Sequence, residues 1–147
     1  METGERALTM QITRETDYAI RCIVYLSSRT DRTVMVDEIA REMATPKSFL
    51  AKILQKLAKA AIVTSFRGVK GGFRLSRQPR DITLLDVIEA VEGEIALNAC
   101  AIDSTACDFS STCAVHPIWI KLRGEFNELL RQHNFEDIAA SAAARRT

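Results

Sequence analysis

The chain has 147 residues, of which 47% are hydrophobic and 27% are charged, with a net charge of +1. These values are typical of one soluble globular domain with a core, plus an extended element. No apolar run approaches the roughly 18 residues of a membrane span, and no signal peptide opens the chain. The four cysteines are therefore expected in a reducing cytoplasm, where clustered thiols usually bind metal or carry out redox chemistry.

The small net charge conceals an uneven distribution of charged residues. Residues 45–80 contain nine basic and no acidic residues, whereas residues 81–147 contain eleven acidic and five basic residues. A block of this kind is typical of a surface that binds nucleic-acid phosphates. A lysine face that merely contacts solvent normally carries acidic residues as well, so the pattern favours a nucleic acid as the partner. The helix-turn-helix predicted for residues 36–59 makes double-stranded DNA the expected nucleic acid.

The first part of the chain is predicted to be helical. Residues 1–9 are predicted to form a flexible extension, and Met10 is an alternative start. Thr13 is expected to cap a helix that ends near residue 28 and that buries Cys22 as a small core residue. A second, shorter helix is predicted over residues 36–43, followed by a break at Ala44 and Thr45.

A third helix follows, with Thr45 as the expected cap and Pro46 at its first position. Its apolar residues repeat with the spacing of a buried stripe, at Leu50, Ile53, Leu54 and Leu57. Its exposed residues, several of them basic, are Ser48, Ala51, Lys52, Gln55, Lys56 and Lys59. Two short helices joined by a tight turn, the second with a basic outer face, predict a helix-turn-helix.

A β-hairpin is predicted directly after this helix. Residues 62–66 are β-branched and aromatic, residues 67–72 form a basic, glycine-rich turn, and residues 73–75 resume an extended pattern. Behind a helix-turn-helix, such a hairpin is a wing whose tip can reach the minor groove or the DNA backbone. The wing residues predicted to contact DNA are Arg67, Gly68, Lys70, Gly71 and Gly72.

The acidic half is predicted to contain three more helices. A capping box of Thr83 and Asp86 begins a helix that ends at Gly93. Pro117 opens a long helix to about residue 133, whose broad apolar side favours homodimerisation. That side consists of Ile118, Trp119, Leu122, Phe126, Leu129 and Leu130. A last short helix near residues 135–140 is capped by Asn134, and residues 141–147 are predicted to form a disordered tail.

Three cysteines lie close together between these helices. Cys100, Cys107 and Cys113, followed by His116, have the spacing Cys-x6-Cys-x5-Cys-x2-His in a stretch without helical or alternating apolar periodicity. Soft thiolates at short separations favour zinc or an iron–sulfur cluster. Ordinary buried cysteines, a structural zinc site and a disulfide switch are the alternatives, and a cluster is the preferred interpretation. The absence of a Cys-x-x-Cys pair and of a nucleophilic triad predicts that the protein is not an enzyme.

These motifs resemble the winged-helix iron–sulfur regulators of the Rrf-two family. The likeness covers nearly the whole chain from Met10. It includes the Met-Gln-Ile-Thr opening at residues 10–13, the Thr-Asp-Tyr-Ala-Ile-Arg segment at 16–21, the wing at 67–75, the helix at 86–91 and the three cysteines. The resemblance implies a mainly α fold with a small β-hairpin wing, in which a winged helix-turn-helix over residues 10–80 precedes a cluster loop and dimerisation helices over residues 81–140.

The resemblance also implies that Cys100, Cys107 and Cys113 ligate the cluster, and it leaves two candidates for the fourth ligand. In IscR-like members a histidine soon after the third cysteine completes a 2Fe–2S site, and His116 matches it. In NsrR-like members an N-terminal aspartate of the partner subunit completes a 4Fe–4S site, and Asp17 matches that one. The six residues between Cys100 and Cys107 differ from the five residues that separate the first two cysteines in IscR. His116 and a 2Fe–2S cluster are preferred.

On the DNA side, Ser48, Ala51 and Lys52 match the positions from which IscR's recognition helix reads bases, and Arg67 matches its wing arginine. IscR has a glutamate where Ala51 stands, so a different preferred site is expected. We expect base edges to be read by Ser48, Lys52 and Gln55, and phosphates to be bound by Lys47, Lys56, Lys59 and Lys70. The sequence thus predicts a DNA-binding regulator that senses iron–sulfur status, redox state or nitric oxide. The alternative is a zinc-stabilised winged-helix protein-interaction module.

Overall fold

A computed structural model describes residues 12–146, so the predicted extension over residues 1–9 and Met10 lie outside the described residues. The fold is mainly helical with one two-stranded antiparallel hairpin, as the sequence predicted. The elements in chain order are α1 (Arg14–Ser27), α2 (Val36–Glu42), α3 (Lys47–Lys59), β1 (Val63–Phe66), β2 (Gly72–Leu75), α4 (Leu84–Glu92), α5 (His116–Arg131) and α6 (Phe135–Arg145). Within the described residues, no helix is long and apolar enough to span a bilayer.

The hydrophobic core lies where α1 packs against α3, α4 and α6. The stripe predicted for α3, namely Leu50, Ile53, Leu54 and Leu57, is fully buried. Among residues 12–146, the largest fully buried side chain is that of Phe135 at the start of α6. Cys22 of α1 is also fully buried, as predicted, and this burial raises the pKa of its thiol to about 12. A thiol in this state is a poor nucleophile and a poor metal ligand, which separates Cys22 from the other three cysteines.

Three of the predicted helix caps are confirmed. The Thr13 hydroxyl accepts a hydrogen bond from the backbone N–H of Thr16. Thr83 and Asp86 form a reciprocal capping box with distances of 3.1 and 2.9 Å. Asn134 accepts from the N–H of Asp137. Each cap satisfies N–H groups that the first helical turn leaves without a partner.

The predicted cap of α3 is wrong. The helix begins at Lys47, Pro46 occupies the N-cap position, and no side chain caps the helix. The hydroxyl of Thr45 instead donates to the carbonyl of Met43 at 3.0 Å, and the residue is buried in the turn of the helix-turn-helix. Ala44 makes the turn itself with a left-handed backbone (φ +49°), a conformation that shortens the connection but is unfavourable for a residue with a Cβ.

The ends of the last two helices also differ from the prediction. Helix α5 ends at Arg131 rather than near residue 133, and α6 continues to Arg145 rather than ending near residue 140. Residues 141–145, which were predicted to be a disordered tail, are therefore helical. Three of these five residues are alanines, and alanine has the highest intrinsic helix propensity. The start of α6 is held by backbone bonds from Phe135 to Ile82 and from Leu84 to His133.

A polar cluster between α1 and α2 contributes to the stability of the fold. The carboxylate of Glu38 accepts from the hydroxyl of Tyr25 at 2.6 Å and from the guanidinium of Arg32 at 2.7 and 3.0 Å. The hydrogen bonds from Arg32, followed by that from Tyr25, lower the pKa of Glu38 to about 2. Glu38 is therefore ionised in the folded protein across the neutral and mildly acidic range.

Replacing Glu38 by glutamine is expected to destabilise the protein by about 1–2 kcal/mol at pH 7, because charge-assisted hydrogen bonds are lost. The pKa of Glu38 is lower in the folded state than in the unfolded state, so its contribution is complete above about pH 4.5 and is lost as the pH falls towards 2. Urea titrations at pH 7 and pH 3 measure the difference between variant and wild type. The exposed, singly paired Glu128 supplies the control, Glu128→Gln, for which a near-zero change is expected. A Glu38→Gln effect of equal size at both pH values would contradict this account.

Candidate DNA interface and metal-binding loop

The outer face of α3 carries the residues predicted to read DNA. Five of them are exposed: Lys47, Ser48, Lys52, Gln55 and Lys59. Ala51 and Lys56 are half-buried on the same helix. The buried stripe on the opposite face holds α3 against the core, so the exposed side chains are presented by a rigid element. This arrangement is suited to insertion of α3 into a major groove.

Two of the lysines predicted to bind phosphate are engaged in ion pairs. The ammonium of Lys47 lies 2.8 Å from Asp37 of α2, and that of Lys56 lies 2.8 Å from Glu15 of α1. Such pairs between exposed groups contribute little stability, but DNA phosphates must compete with these carboxylates. Lys52 and Lys59 have no ion pair among residues 12–146, so their charge is directly available.

The β-hairpin carries a basic tip, and its strand β1 packs against α3. Strands β1 and β2 pair from Val63–Leu75 to Phe66–Gly72. Phe73 also exchanges two backbone hydrogen bonds with Val34, which ties the wing to the segment before α2. At the tip, Arg67, Gly68, Val69 and Lys70 are all exposed, and Val69 retains 96% of its accessible surface. The tip thus offers a cation on each side of an exposed apolar residue.

Gly71 and Gly72 have a structural role that the sequence did not reveal. A Cβ atom at Gly71 would overlap the backbone oxygen of Phe66, and one at Gly72 would overlap the backbone of Val34. Both glycines therefore allow close backbone approaches that shape the wing and dock it on the domain. Their predicted contact with DNA remains a prediction.

The three remaining cysteines lie in the loop between α4 and α5, as predicted. This cysteine loop, defined here as residues 94–115, contains two short 3₁₀ turns, Ala99–Ala101 and Ser104–Ala106. Cys100 and Cys113 are half-buried, Cys107 is exposed, and all three are free thiols. Cys113 donates its N–H to Phe109 at 2.7 Å and accepts from the N–H of His116 at 3.3 Å, so it immediately precedes the first turn of α5.

These thiols do not form an assembled metal site. Among the described residues, no group of three or more His, Cys, Asp or Glu side chains is close enough together to hold a metal ion. The donor types nevertheless fit a soft metal or an iron–sulfur cluster, since three thiols and an imidazole are available. Nδ1 of His116 is buried without a hydrogen-bond partner among the described residues. A buried, unpartnered ring nitrogen is costly, and ligation of the imidazole is one way to resolve it.

The other candidate for the fourth ligand lies on a different element. Asp17 is in the first turn of α1, with a side chain that is 55% exposed and that pairs with Arg21 at 3.3 Å. Within one chain, the structure therefore places His116 at the start of α5, next to the cysteine loop, and Asp17 on a separate helix.

Several contacts that position these surfaces could not be found from the sequence. Arg123 of α5 binds the cysteine loop, and the backbone N–H of Thr13 donates to Glu92 at the end of α4 at 2.9 Å. Glu15 and Asp37 are the acidic partners of α3 described above. These residues lie far from their partners in the sequence and belong to no spacing pattern.

A helix-turn-helix with a β-hairpin wing defines the winged-helix class of DNA-binding proteins. A family model described as "Rrf2: Iron-dependent Transcriptional regulator" matches residues 12–141. The chain therefore belongs to the Rrf2 (Rrf-two) family and is a transcriptional regulator rather than an enzyme.

Individual relatives agree with this assignment. The transcriptional regulator NsrR of Bacillus licheniformis is 28% identical over 131 residues, which cover 88% of this chain and 92% of that protein. The solved structure of CymR, the global cysteine regulator of B. subtilis, is similar with a TM-score of 0.72 and 24% identity, covering 90% of this chain and 98% of that one. The structure of T. potens IscR has a TM-score of 0.70 and 23% identity, covering 96% and 94%. The structural similarities confirm the predicted fold.

Proposed function

We propose that this protein is a homodimeric regulator whose affinity for promoter DNA depends on an iron–sulfur cluster held by Cys100, Cys107 and Cys113. The observation that carries the proposal is the position of three free thiols in the loop before α5 and of His116 at the first position of α5, a helix with an exposed apolar face. The cysteine loop therefore joins the winged-helix half of the chain to the helix that we assign to dimerisation. A change in the loop can alter how two DNA-binding halves are held relative to each other.

The cysteines, rather than the fold, support the choice of an iron–sulfur signal. The same fold occurs in a protein described as a global cysteine regulator, so the family fold does not by itself select one signal. A bound cluster would supply an iron-dependent, redox-active group, and iron status, redox state or nitric oxide are the signals that we propose. A reducing cytoplasm is the compartment in which four free thiols persist.

For the fourth ligand we propose His116 and a 2Fe–2S cluster. Nδ1 of His116 is buried without a hydrogen-bond partner in the described part of the chain, and His116 begins the helix that follows Cys113. Asp17 from a second copy, with a 4Fe–4S cluster, is the alternative, and its carboxylate would first have to leave Arg21. If His116 is the fourth ligand, His116→Ala loses the cluster and Asp17→Ala keeps it. If Asp17 is the fourth ligand, the outcome is the reverse.

For DNA, we propose that Ser48, Lys52 and Gln55 contact base edges from α3. Lys59, Arg67 and Lys70 are exposed cations for the phosphate backbone, and arginine is favoured in narrow A·T-rich minor grooves. Lys47 and Lys56 can join them only by exchanging Asp37 and Glu15 for phosphates. Release of counterions by these cations predicts a steep salt dependence of DNA binding.

The homodimer is supported by the exposed apolar face of α5. Four large side chains recur along this helix with exposed fractions of 37–56%: Ile118, Leu122, Phe126 and Leu129. Trp119 and Leu130, also predicted for this side, are half-buried against the same chain. A contiguous apolar face of this kind is unfavourable in water and is typical of an interface. A second copy of α5 offers a self-complementary partner.

Replacing Phe126 by glutamate is expected to dissociate the dimer, because a charge would be buried at the centre of the interface. The apparent dissociation constant should rise by roughly 100-fold, corresponding to about 3 kcal/mol. Sedimentation equilibrium over a range of protein concentrations measures this change. Lys121→Glu introduces the same residue at an exposed site on α5 and should leave the constant within about threefold of wild type. A dimer that is unaffected by Phe126→Glu would contradict the assignment.

Anaerobic purification followed by visible absorption and by counting of iron, sulfide and zinc tests the proposed cofactor. We expect a coloured protein with equal amounts of iron and sulfide. Loss of both in His116→Ala but not in Asp17→Ala would support the proposed fourth ligand, and the reverse would support the alternative. A colourless protein with one tightly bound zinc and no salt-sensitive affinity for DNA would overturn the proposal in favour of a zinc-stabilised interaction module.

A further inference from the structure

Arg123 links the long helix to the cysteine loop. Its Nε donates to the carbonyl of Ile95 and its Nη1 donates to the carbonyl of Ala101, both at 3.2 Å. Its Nη2 lies 3.5 Å from the carboxylate of Glu94. One guanidinium thus contacts both ends of the segment 94–101, which contains Cys100. The planar fork of arginine can make such a set of contacts, whereas the single ammonium of lysine cannot.

The segment bound by Arg123 is itself ordered. Ala101 is 4% exposed, and the 3₁₀ turn Ala99–Ala101 is closed by hydrogen bonds from Ala101 to Asn98 and from Ile102 to Ala99. The carbonyl of Ala101 that receives Arg123 belongs to the residue directly after Cys100. The segment that contains Cys100 therefore lies against α5 through contacts that involve neither a thiol nor a metal.

The same helix positions the other end of the loop. His116 is the first residue of α5, and Arg123 follows it by seven residues. Seven residues correspond to about two helical turns, so both side chains leave α5 on nearly the same side, about 10 Å apart along the axis. Cys113 precedes His116 by three residues and bonds to its N–H. Helix α5 thus holds Cys113 and His116 through the chain and Cys100 through Arg123.

We infer that Arg123 is a positioning residue for the cluster site: its guanidinium holds the Cys100 segment on α5, next to the element that carries Cys113 and His116. The inference rests on the proposed function where it refers to a cluster. The contact with the loop can be tested separately in metal-free protein. Only Cys107, which is exposed between the two anchored ends, is left to move with the middle of the loop.

The test uses Arg123→Met, which retains an apolar stem but removes every donor, and Arg123→Lys as a second, milder variant. In metal-free protein, we expect amide hydrogen exchange over residues 98–103 to accelerate by roughly tenfold and Cys100 to be alkylated several-fold faster, since hydrogen bonds that hold the segment are lost. Alkylation of Cys107 should be unchanged. Lys121→Met, at an exposed position on α5, is the matched control and should leave all these rates unchanged.

In anaerobically purified protein, Arg123→Met is expected to contain less iron and sulfide than wild type and to lose its visible absorption faster in air. Glu94→Gln should resemble wild type, because the carboxylate of Glu94 is exposed.

Exchange and alkylation rates within twofold of wild type in Arg123→Met, with native circular dichroism, would overturn the inference. Faster exchange with an unchanged cluster would overturn the role in the cluster site. If Arg123→Met fails to fold, Arg123→Lys decides by the same rates. A wild-type protein without iron would overturn the proposed function instead, and the metal-free rates would still decide whether Arg123 holds the loop.

Discussion

Cys107→Ser is expected to reduce the iron and sulfide content of anaerobically purified protein to below about one tenth of wild type, because the proposed cluster would lose one of its three thiolate ligands. Cys107 is exposed and packs into no core, so its replacement should leave the unfolding transition nearly unchanged. Iron and sulfide analysis measures the loss, and circular dichroism verifies the fold. The effect on the cluster is thereby separated from an effect on stability.

Cys22→Ala is the matched control for this experiment. It also removes one thiol, but from the core between the helices, where burial keeps that thiol protonated. We expect it to lower stability by about 1 kcal/mol and to retain the full iron content per folded chain. Retention of the cluster in Cys107→Ser, or its loss in Cys22→Ala, would show that the ligands have been assigned to the wrong cysteines.

Lys52→Glu is expected to weaken binding to a specific DNA duplex by roughly 100-fold, because a favourable contact is replaced by repulsion between the carboxylate and the DNA. Lys52 lies on the exposed face of α3 and has no ion pair among residues 12–146. Its charge should therefore act fully on DNA rather than on a neighbouring acid. Fluorescence anisotropy at several salt concentrations measures the affinity and its salt dependence.

Lys121→Glu makes the same change of charge on α5, far from α3 in the sequence. It controls for the altered net charge, and we expect binding within about threefold of wild type at physiological salt, where long-range effects are screened. Equal losses in both variants would indicate a nonspecific effect of charge. An affinity of Lys52→Glu equal to that of wild type would place the DNA interface elsewhere.

Patterns that depend on neighbouring residues could be predicted from the sequence. The buried stripe of α3, the capping box at Thr83 and the hairpin of the wing are all local in sequence, because helix and strand periodicities are fixed by backbone geometry. The loop character of residues 98–112 was also predictable, since apolar residues in this segment follow neither the helical nor the strand periodicity.

Features that depend on tertiary contacts were missed. Thr45 appeared to be a helix cap, but its hydroxyl is used inside a buried turn. Lys47 and Lys56 appeared to be free for phosphate, but the fold brings Asp37 and Glu15 to them. Arg123 gave no signal at all, because both of its hydrogen-bond acceptors are backbone carbonyls, which every residue possesses.

The two halves of the proposed switch are joined by a short series of contacts. Arg123 contacts the cysteine loop from α5, Glu92 at the end of α4 accepts from Thr13 at the start of α1, and Glu15 in the first turn of α1 pairs with Lys56 of α3. A rearrangement of the cysteine loop therefore has a contiguous set of contacts through which to reach α3, the helix that we propose to contact DNA bases. Spatial continuity alone does not establish coupling, so affinity for DNA must be measured in both states.

The central claim is that the cluster controls DNA binding, and one comparison tests it most directly. A duplex is selected from a random library with anaerobically purified protein, and its affinity is then measured for cluster-bound protein and for the same preparation after removal of the cluster by a chelator. We predict that the two affinities differ by roughly tenfold or more, the range of typical allosteric coupling. A second duplex is selected with the cluster-free protein. If the cluster-bound and cluster-free forms bind both duplexes with equal affinity, the account is contradicted.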